Sequence, residues 1–322
     1  MRPMTFDVSN AGDGASQLQQ SGWLFSPPAD VKAKGVLICL SGGSYDKRYW
    51  HMEIPGHSNY SFAEYMAERG YCVVVVDHIA VGDSTVPPTG ELDLMLLAKG
   101  NSEVARHVRE RVRNGTLSPG LRADAPVFGV GHSMGGCIAA VVQAEAKSYS
   151  GLVVLGFGLK TIAQELVGLT LEASRAVRRE SLRRITSHGF DDDARFADIA
   201  RDQRRQLFYN DDVPEAVVAA DTATNVPLPL PVGYEVSIPA LIEPFIARVD
   251  VPVFLGYGEY RDISSHPRAE PVLYSNSPDI TVMMLPGSGH CHNFAANRDV
   301  LWERISLWLD ASRLQSRAMA EA

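Results

Sequence analysis

The chain has 322 residues, of which 45% are hydrophobic and 21% are charged, and its formal net charge is −8. A chain of this length buries a substantial core, either as one large domain or as a domain with an inserted cap. The acidic balance argues against nucleic-acid binding, and the sequence contains no run of about 20 apolar residues that could span a bilayer.

The first ten residues lack the basic start and long apolar stretch of a secretion signal, so we expect a cytoplasmic protein. The cysteines lie in or beside apolar segments, without the paired spacing of a metal site. We therefore expect reduced and mostly buried thiols. We also expect neither a metal nor a cofactor. These cysteines are Cys39, Cys72, Cys137 and Cys291.

Short β-rich runs alternate with helical stretches along the chain. The runs are apolar almost throughout rather than alternating, which is typical of strands buried on both faces. They predict an α/β fold with a mostly parallel central sheet flanked by helices. The runs cover residues 35–40, 71–77, 126–130, 151–155, 251–256 and 280–285.

Two helical segments accompany these strands. Residues 61–69 end at Gly70, a glycine stop directly before a strand. Residues 297–314 carry a broad apolar stripe that we expect to close the sheet. The stripe consists of Val300, Leu301, Ile305, Leu307, Trp308 and Leu309.

About ninety residues separate the run at 151–155 from the run at 251–256, which is too long for an ordinary loop. This segment is charged, helical in pattern and poor in strands. We interpret residues 160–243 as an inserted helical cap. The α/β core then comprises residues 1–159 and 244–322.

The predicted cap contains a cluster of prolines and a cluster of arginines. The prolines at 227, 229 and 231 indicate a stiff extended stretch rather than more helix. A set of arginines could meet an anionic substrate, but we interpret it as a solvated helix face. The set is Arg175, Arg178, Arg179, Arg183 and Arg184.

The most informative motif is Gly-His-Ser-Met-Gly at residues 131–135, directly behind the apolar run at 126–130. A strand that turns into a helix through G-x-S-x-G leaves room only for glycine two positions before and after the serine. The motif therefore predicts a nucleophile elbow with the hydroxyl of Ser133 at the strand tip. The competing dinucleotide motif G-x-G-x-x-G fails, because Met134 stands where its third glycine should lie.

With these motifs the chain resembles the α/β-hydrolase superfamily, in particular the cap-bearing branch of lipases, esterases and peptidases that includes monoacylglycerol lipase. The resemblance rests on residues 41–43, 77–84, 131–136 and 287–290. It implies an α/β-hydrolase fold with an inserted cap. It also implies a catalytic triad in the chain order serine, acid, histidine.

A serine hydroxyl is a poor nucleophile until a base takes its proton, so a histidine is needed downstream. The family places this base after the last strand and a glycine-containing loop, where this chain has His290. His292 is the competitor, since it could face the same cleft. Metal binding by these histidines and Cys291 is disfavoured, because three neighbouring side chains do not readily converge on one ion.

The histidine in turn needs a carboxylate that orients it. In the family the acid usually stands three residues after a glycine like Gly258, but here that position is Arg261. Asp262 fits if the loop carries one extra residue, and Glu259 fits if the loop is tighter. We favour Asp262, and the alternative for either residue is a surface carboxylate paired with Arg261.

Acyl transfer also requires hydrogen-bond donors for the substrate oxyanion. The resemblance assigns one to the backbone N–H of Met134 and the other to the turn after residues 35–40. By position the second donor is the N–H of Gly43, with Ser44 as the alternative, and relatives carry His where this chain has Ser41. Nearby aromatic residues could line the pocket or pack under the cap, namely Tyr45, Tyr49 and Trp50.

These residues together predict a serine hydrolase with a small-molecule substrate. The substrate is an uncharged carboxylic ester, lactone or thioester, cleaved through an acyl-enzyme on Ser133. The same residues also fit an acyltransferase, a carbon–carbon bond hydrolase or a lyase. A third hypothesis is a non-catalytic ligand receptor on the same fold.

Overall fold

The computed structural model describes residues 1–12, 16–88, 92–160, 164–166, 168–186, 189–199, 205–260 and 262–321, with side chains described as far as Arg313. Within these residues eight strands form one sheet, and two further strands form a separate pair. The strands are β1 (Arg2–Asp7), β2 (Gln19–Phe25), β3 (Gly35–Leu40), β4 (Tyr71–Val76), β5 (Val127–His132), β6 (Leu152–Leu155), β7 (Phe196–Ala197), β8 (Leu228–Pro229), β9 (Val253–Gly258) and β10 (Ile280–Leu285).

The main sheet has the strand order β1-β2-β4-β3-β5-β6-β9-β10. All neighbours from β4 to β10 pair in parallel, whereas β2 runs antiparallel to both β1 and β4. The central strands β3, β4, β5, β6 and β9 are buried over their whole length, as expected for parallel strands with helices packed on them. The prediction of a mostly parallel α/β sheet is confirmed.

Nine α-helices lie in the described part of the chain. The helices are α1 (Phe62–Glu68), α2 (Leu94–Arg113), α3 (Met134–Ala146), α4 (Leu171–Arg183), α5 (Arg205–Phe208), α6 (Glu215–Ala223), α7 (Leu230–Glu235), α8 (Pro239–Ile246) and α9 (Arg298–Glu321). Helix α1 packs on α9, while α2 and α8 pack on α3. Helix α1 begins at the N-cap Ser61, whose hydroxyl accepts the N–H of Glu64, and it ends before Gly70 as predicted.

Both edges of the sheet differ from the sequence-based expectation. Strands β1 and β2 lie outside the six predicted runs. The edge strand β1 is mostly exposed and alternates in burial, so it lacks a continuous apolar run. Strand β10 is expected to be buried on both faces, but it is the other edge strand and its Val282 is exposed.

The apolar stripe predicted for the last helix is wrong at two positions. Val300 and Leu307 are exposed in α9. They are seven residues apart and therefore share one side of the helix, which faces away from the sheet. The remaining members of the stripe, Leu301, Ile305, Trp308 and Leu309, are buried.

The segment between β6 and β9 is mainly helical. It contains α4 to α8 and the short antiparallel pair of β7 with β8. Pro229 belongs to β8, but Pro231 lies in the first turn of α7, so the expectation of an extended stretch is wrong for Pro231. Proline is tolerated there because the first N–H groups of a helix have no partner inside it. The division into core and cap stays a prediction.

None of the described helices is both long and apolar enough to cross a membrane. The four cysteines are buried, and none of them forms a disulfide. They belong to β3, β4, α3 and the loop after β10. The expectation of buried thiols is confirmed.

Candidate active site

Ser133 occupies the junction between β5 and α3. Its backbone adopts φ 53° and ψ −120°, which residues other than glycine rarely take, and α3 starts at the next residue. The N–H of Ser133 donates to the carbonyl of Leu155 at 2.7 Å, and its own carbonyl accepts the N–H of Gly136 at 2.9 Å. These bonds hold the strained residue between a neighbouring strand and the helix, which is the geometry of a nucleophile elbow.

Close backbone contacts require both outer glycines of the motif. A Cβ on Gly131 would collide with the carbonyl group of Gly135. A Cβ on Gly135 would collide with the carbonyl oxygen of Leu40, at the end of β3. The turn therefore closes only when both positions lack a side chain. This is the steric requirement that the G-x-S-x-G motif predicts.

The loop after β3 lies directly against the elbow. A Cβ built on Gly42 would be 3.1 Å from the Cβ of Ser133, and one on Gly43 would be 3.8 Å from the Sδ of Met134. These residues and Ser44 line the same cavity. The structure thus places both predicted oxyanion donors, Gly43 and Met134, beside the predicted nucleophile.

A buried polar network supports the start of this loop. The hydroxyl of Ser41 donates to the carbonyl of Asp46 at 2.7 Å, and the carbonyl of Ser41 accepts Nε2–H of His78 at 3.0 Å. Asn101 donates its side-chain amide to Nδ1 of His78 at 2.9 Å. Burial lowers the pKa of His78 to about 4, so its ring is neutral at pH 7. Ser41 is therefore a structural anchor of the loop.

His290 and Asp262 meet at the carboxyl ends of β9 and β10. Nδ1–H of His290 donates to Oδ1 of Asp262 at 2.7 Å. Because a carboxylate only accepts hydrogen bonds, Nε2 of the neutral ring is left as a proton acceptor. His290 lines the same cavity as Ser133. The three residues proposed from the sequence are thus brought to one region of the fold.

The carboxylate of Asp262 accepts three further hydrogen bonds. His292 donates Nε2–H to Oδ2 at 2.9 Å, and the backbone N–H groups of Gly258 and Ile263 each donate at 2.7 Å. Burial by itself would raise the pKa of the Asp262 carboxyl. His292 and His290 outweigh burial and hold that pKa well below its ordinary value. Asp262 is therefore a fully buried, ionised carboxylate.

Glu259, the other candidate acid, lies elsewhere. Its side chain is exposed, and its Oε2 accepts the N–H of Gly287 at 3.3 Å. Among the described residues, Asp262 is the carboxylate within ion-pair distance of His290. Arg261 lies outside the described residues.

His132, the second residue of the elbow motif, contacts the loop after β10 that carries His290. Its Nε2–H donates to the backbone carbonyl of His290 at 2.8 Å, and the centroids of the two rings are 4.6 Å apart. Burial, followed by the proximity of His290 and His292, holds the pKa of His132 well below its ordinary value. His132 is therefore a neutral donor that fixes the backbone at His290.

Helix α5 also binds the loop that carries His290. The N–H of His290 donates to the carbonyl of Leu207 at 2.9 Å, and the N–H of Cys291 donates to the carbonyl of Phe208 at 2.9 Å. These two consecutive backbone bonds restrict the loop. The segment between β6 and β9 thus takes part in positioning His290.

The same segment also contacts the loop after β3. The hydroxyl of Tyr45 donates to Oδ2 of the buried Asp221 in α6 at 2.8 Å, and the hydroxyl of Tyr209 donates to the same oxygen. The N–H of Val226 donates to the carbonyl of Ser44 at 3.2 Å. The position of the loop that carries Gly43 therefore depends on the segment between β6 and β9.

The aromatic residues beside this loop take different places. Tyr45 lines the cavity. Tyr49 is buried and stacks on His132 with a centroid distance of 4.5 Å, and Trp50 packs against Phe62 in the core. The pocket-lining interpretation fits Tyr45, whereas the ring contacts of Tyr49 and Trp50 are with residues outside the predicted cap.

A cavity of about 300 Å³ opens at Ser133 and His290. Its walls are mainly apolar, and most of them come from the segment between β6 and β9. Arg178 lies in the wall, so the expectation of a solvated arginine face is wrong for this residue. Its charge is paired with Glu165 at 2.9 Å, and its Nε–H donates to Ser237 at 2.7 Å. The apolar side chains of the wall include Phe157, Leu182, Ile185, Ile199, Leu207, Phe208, Leu228, Val236 and Ile263.

The sequence matches the model of the Alpha/beta hydrolase family over residues 37–303, which is most of its length. The chain belongs to the α/β-hydrolase family. The predictions of an α/β-hydrolase fold and of an enzyme of the hydrolase class are thereby confirmed. No curated protein matches the sequence.

Solved structures share the fold of this α/β hydrolase at low sequence identity. A thermophilic esterase from Thermogutta terrifontis is 14% identical, with 97% of this chain and 100% of that chain covered and a TM-score of 0.64. A soluble variant of monoglyceride lipase from Saccharomyces cerevisiae is 13% identical, with 92% of each chain covered and a TM-score of 0.66. A bromoperoxidase from Bacillus anthracis is 14% identical, with 95% and 98% covered and a TM-score of 0.62.

The sequence does not reveal the contacts of two residues of this site, His132 and His292. His132 is only the variable position of the elbow motif, and nothing local indicates that its ring reaches the backbone of His290. The sequence suggests His292 as an alternative to His290 as the base, whereas in the structure both histidines bind the same carboxylate. The available signal is the His-Cys-His spacing, which places the side chains at 290 and 292 close together.

Proposed function

We propose that this α/β hydrolase is a serine hydrolase that cleaves an uncharged carboxylic ester, lactone or thioester through an acyl-enzyme on Ser133. The observation that supports this most strongly is the cavity shared by Ser133 and His290, with His290 held at 2.7 Å by the buried carboxylate of Asp262. Nucleophile, base and acid are the minimum set for activating a hydroxyl group.

In the proposed reaction, Nε2 of His290 takes the proton of the Ser133 hydroxyl as the oxygen attacks the substrate carbonyl. The negative charge of Asp262 stabilises the imidazolium that forms. The N–H groups of Gly43 and Met134 donate to the carbonyl oxygen while it carries negative charge. His290 then protonates the leaving group, which leaves an acyl-enzyme on Ser133.

In the second half of the reaction, a water molecule gives a proton to Nε2 of His290 and attacks the acyl carbonyl. The tetrahedral intermediate collapses, the bond to Ser133 breaks, and the serine oxygen regains its proton from His290. The products are a carboxylic acid and the alcohol, or thiol, released in the first half.

The preference for an uncharged substrate rests on the cavity wall. The wall is mainly apolar, and its one guanidinium from the arginine set, Arg178, is paired with Glu165. Placing an unpaired charge against such a wall is costly. Carboxylic esters are also indicated by the names of two structural neighbours, an esterase and a monoglyceride lipase.

We further propose that residues 160–243 act as a helical cap on the core formed by residues 1–159 and 244–322. The contacts of α5 with the loop of His290, and of Asp221 with Tyr45, support this role. The cap would then determine which small molecule reaches Ser133. A cytoplasmic location stays a prediction.

The test is labelling by a fluorophosphonate probe together with hydrolysis of a chromogenic short-chain ester. Wild type is expected to react with the probe and to turn over the ester, whereas Ser133→Ala is expected to do neither. The matched control is Ser181→Ala, which removes a hydroxyl in the same cavity and is expected to keep labelling. An ester turnover that survives Ser133→Ala would refute the proposal, and so would a wild type that is inert to both reagents and to a wider set of lactones and thioesters.

A further inference from the structure

A second concave surface lies at the opposite edge of the sheet from Ser133. This cleft has a volume of about 500 Å³ and is enclosed by the segments before β3 and β5, the C-terminal part of α2, and α9. The residues of β5 separate it from the elbow, a distance of about 20 Å along an extended strand. It is therefore distinct from the candidate active site.

Six basic side chains line this cleft, and one carboxylate, Asp124, accompanies them. This concentration of positive charge stands out in a chain whose net charge is −8. The cations come from four separate parts of the chain, so the tertiary fold gathers them. They are Lys32, Lys34, Arg109, Arg113, Arg122 and Arg313.

Most of this charge is not neutralised within the described residues. Lys34 pairs with Asp310 at 2.8 Å, and Arg122 pairs with the exposed Asp124 at 2.6 Å. The other four cations have no carboxylate at ion-pair distance in the described part of the chain, and Nε of Arg313 is buried without a hydrogen-bond partner. Like charges gathered in a concave surface repel one another and raise the local concentration of anions.

The floor of the cleft is apolar. Ala33, Val112 and Val127 are buried there, next to the partly exposed Ala125 and Pro126. A cationic rim above an apolar floor suits a ligand that has both a polyanionic part and a flat, less polar part. Guanidinium and ammonium groups form strong charge-assisted hydrogen bonds with phosphate oxygens.

We propose that this cleft binds a small molecule with two or more phosphate groups, of the nucleoside di- or triphosphate class. The phosphates contact the cationic rim and the base lies on the apolar floor. The concave shape favours a small molecule over a membrane or a nucleic acid, since a flat bilayer or a duplex cannot enter an enclosed cleft of this size. The proposal is independent of the chemistry at Ser133.

The test is isothermal titration calorimetry of the full chain with ATP and with inorganic triphosphate. Both are expected to bind saturably, and affinity is expected to fall as salt is raised. The double variant Lys32→Glu with Arg113→Glu reverses two exposed, unpaired cations of the rim. Its Kd for each ligand is expected to rise about tenfold or more, since each reversed charge removes a charge-assisted bond.

The matched control is Lys99→Glu with Arg184→Glu. It changes the net charge by the same amount at two exposed positions outside the cleft. It is expected to bind like wild type, and thermal unfolding of both double variants checks that the fold is kept. The proposal is overturned if wild type binds neither ligand, or if the rim variant and the control weaken binding equally.

Discussion

His292 donates Nε2–H to the oxygen of Asp262 that His290 leaves free, so one buried carboxylate holds two imidazoles at 2.7 Å and 2.9 Å. Nδ1 of His292 is buried and has no hydrogen-bond partner among the described residues. His292 therefore acts on Asp262 as a hydrogen-bond donor and keeps its carboxylate turned toward His290.

The first prediction concerns this positioning role. His292→Ala is expected to lower kcat for an ester substrate by about 10- to 100-fold with little change in KM, because a hydrogen bond to a charged group contributes about 1.5–3 kcal/mol. His292→Gln, whose amide nitrogen can reach the same oxygen, is expected to recover much of the loss. Steady-state kinetics and the pH profile of probe labelling report the effect. Equal activity in wild type and His292→Ala, or no gain from glutamine, would contradict this role.

The second prediction distinguishes the two candidate acids. Asp262→Asn removes the charge that stabilises the imidazolium of His290, so kcat/KM is expected to fall on the order of 10³- to 10⁴-fold. Glu259→Gln removes an exposed carboxylate that, among the described residues, accepts a hydrogen bond from the Gly287 backbone at 3.3 Å, so it is expected to leave kcat/KM unchanged. Initial-rate measurements with one ester decide between them. The opposite ranking of the two variants would reject Asp262.

The third prediction concerns stability in mild acid. Burial lowers the pKa of His78 to about 4, whereas an unfolded histidine titrates near 6.5. Below pH 6.5 the unfolded chain binds a proton that the folded chain does not, so stability is lost as pH falls from 6.5 to 4. For His78 the loss amounts to about 3 kcal/mol. The depressed pKa of His132 acts in the same direction.

Urea unfolding at pH 7 and at pH 4.5 measures this loss. His78→Gln keeps an acceptor for Asn101 and a donor for Ser41 but cannot titrate, so its stability is expected to depend less on pH than that of wild type. Asp262 does not interfere, because its depressed pKa removes stability only below about pH 4. Parallel losses in wild type and variant would show that His78 is not a source of the acid sensitivity.

The fourth prediction concerns the elbow. Gly135→Ala places a Cβ against the carbonyl oxygen of Leu40, and rigid backbone cannot yield as a side chain can. The free energy of unfolding is expected to fall by about 3 kcal/mol, with loss of probe labelling at Ser133. Gly115→Ala is the control, since its φ of 67° costs about 1 kcal/mol but open space surrounds the new Cβ. Similar losses in both variants would argue against a steric requirement at the elbow.

Much of the fold follows from local sequence. The central strands are recognisable because their apolar runs are continuous, and continuous runs mark strands buried on both faces. The elbow is recognisable because its two required glycines, Gly131 and Gly135, lie within one pentapeptide around Ser133. Strands β1 and β2 are not, since alternating or mixed runs at a sheet edge carry no such signal. The exposure of Val300 and Leu307 likewise depends on which side of α9 meets the sheet.

The residues near 131–135 reveal the elbow by themselves because its constraints act between neighbours in the chain. The acid that binds His290 is decided by the tertiary structure. Asp262 and Glu259 both follow β9 within a few residues, and only the path of this loop brings Asp262 to the imidazole. The second hydrogen bond from His292 and the apolar wall over Ser133 depend on the same long-range packing. Sequence spacing cannot report such contacts, because they join segments whose relative positions are set by the sheet and by the helices between β6 and β9.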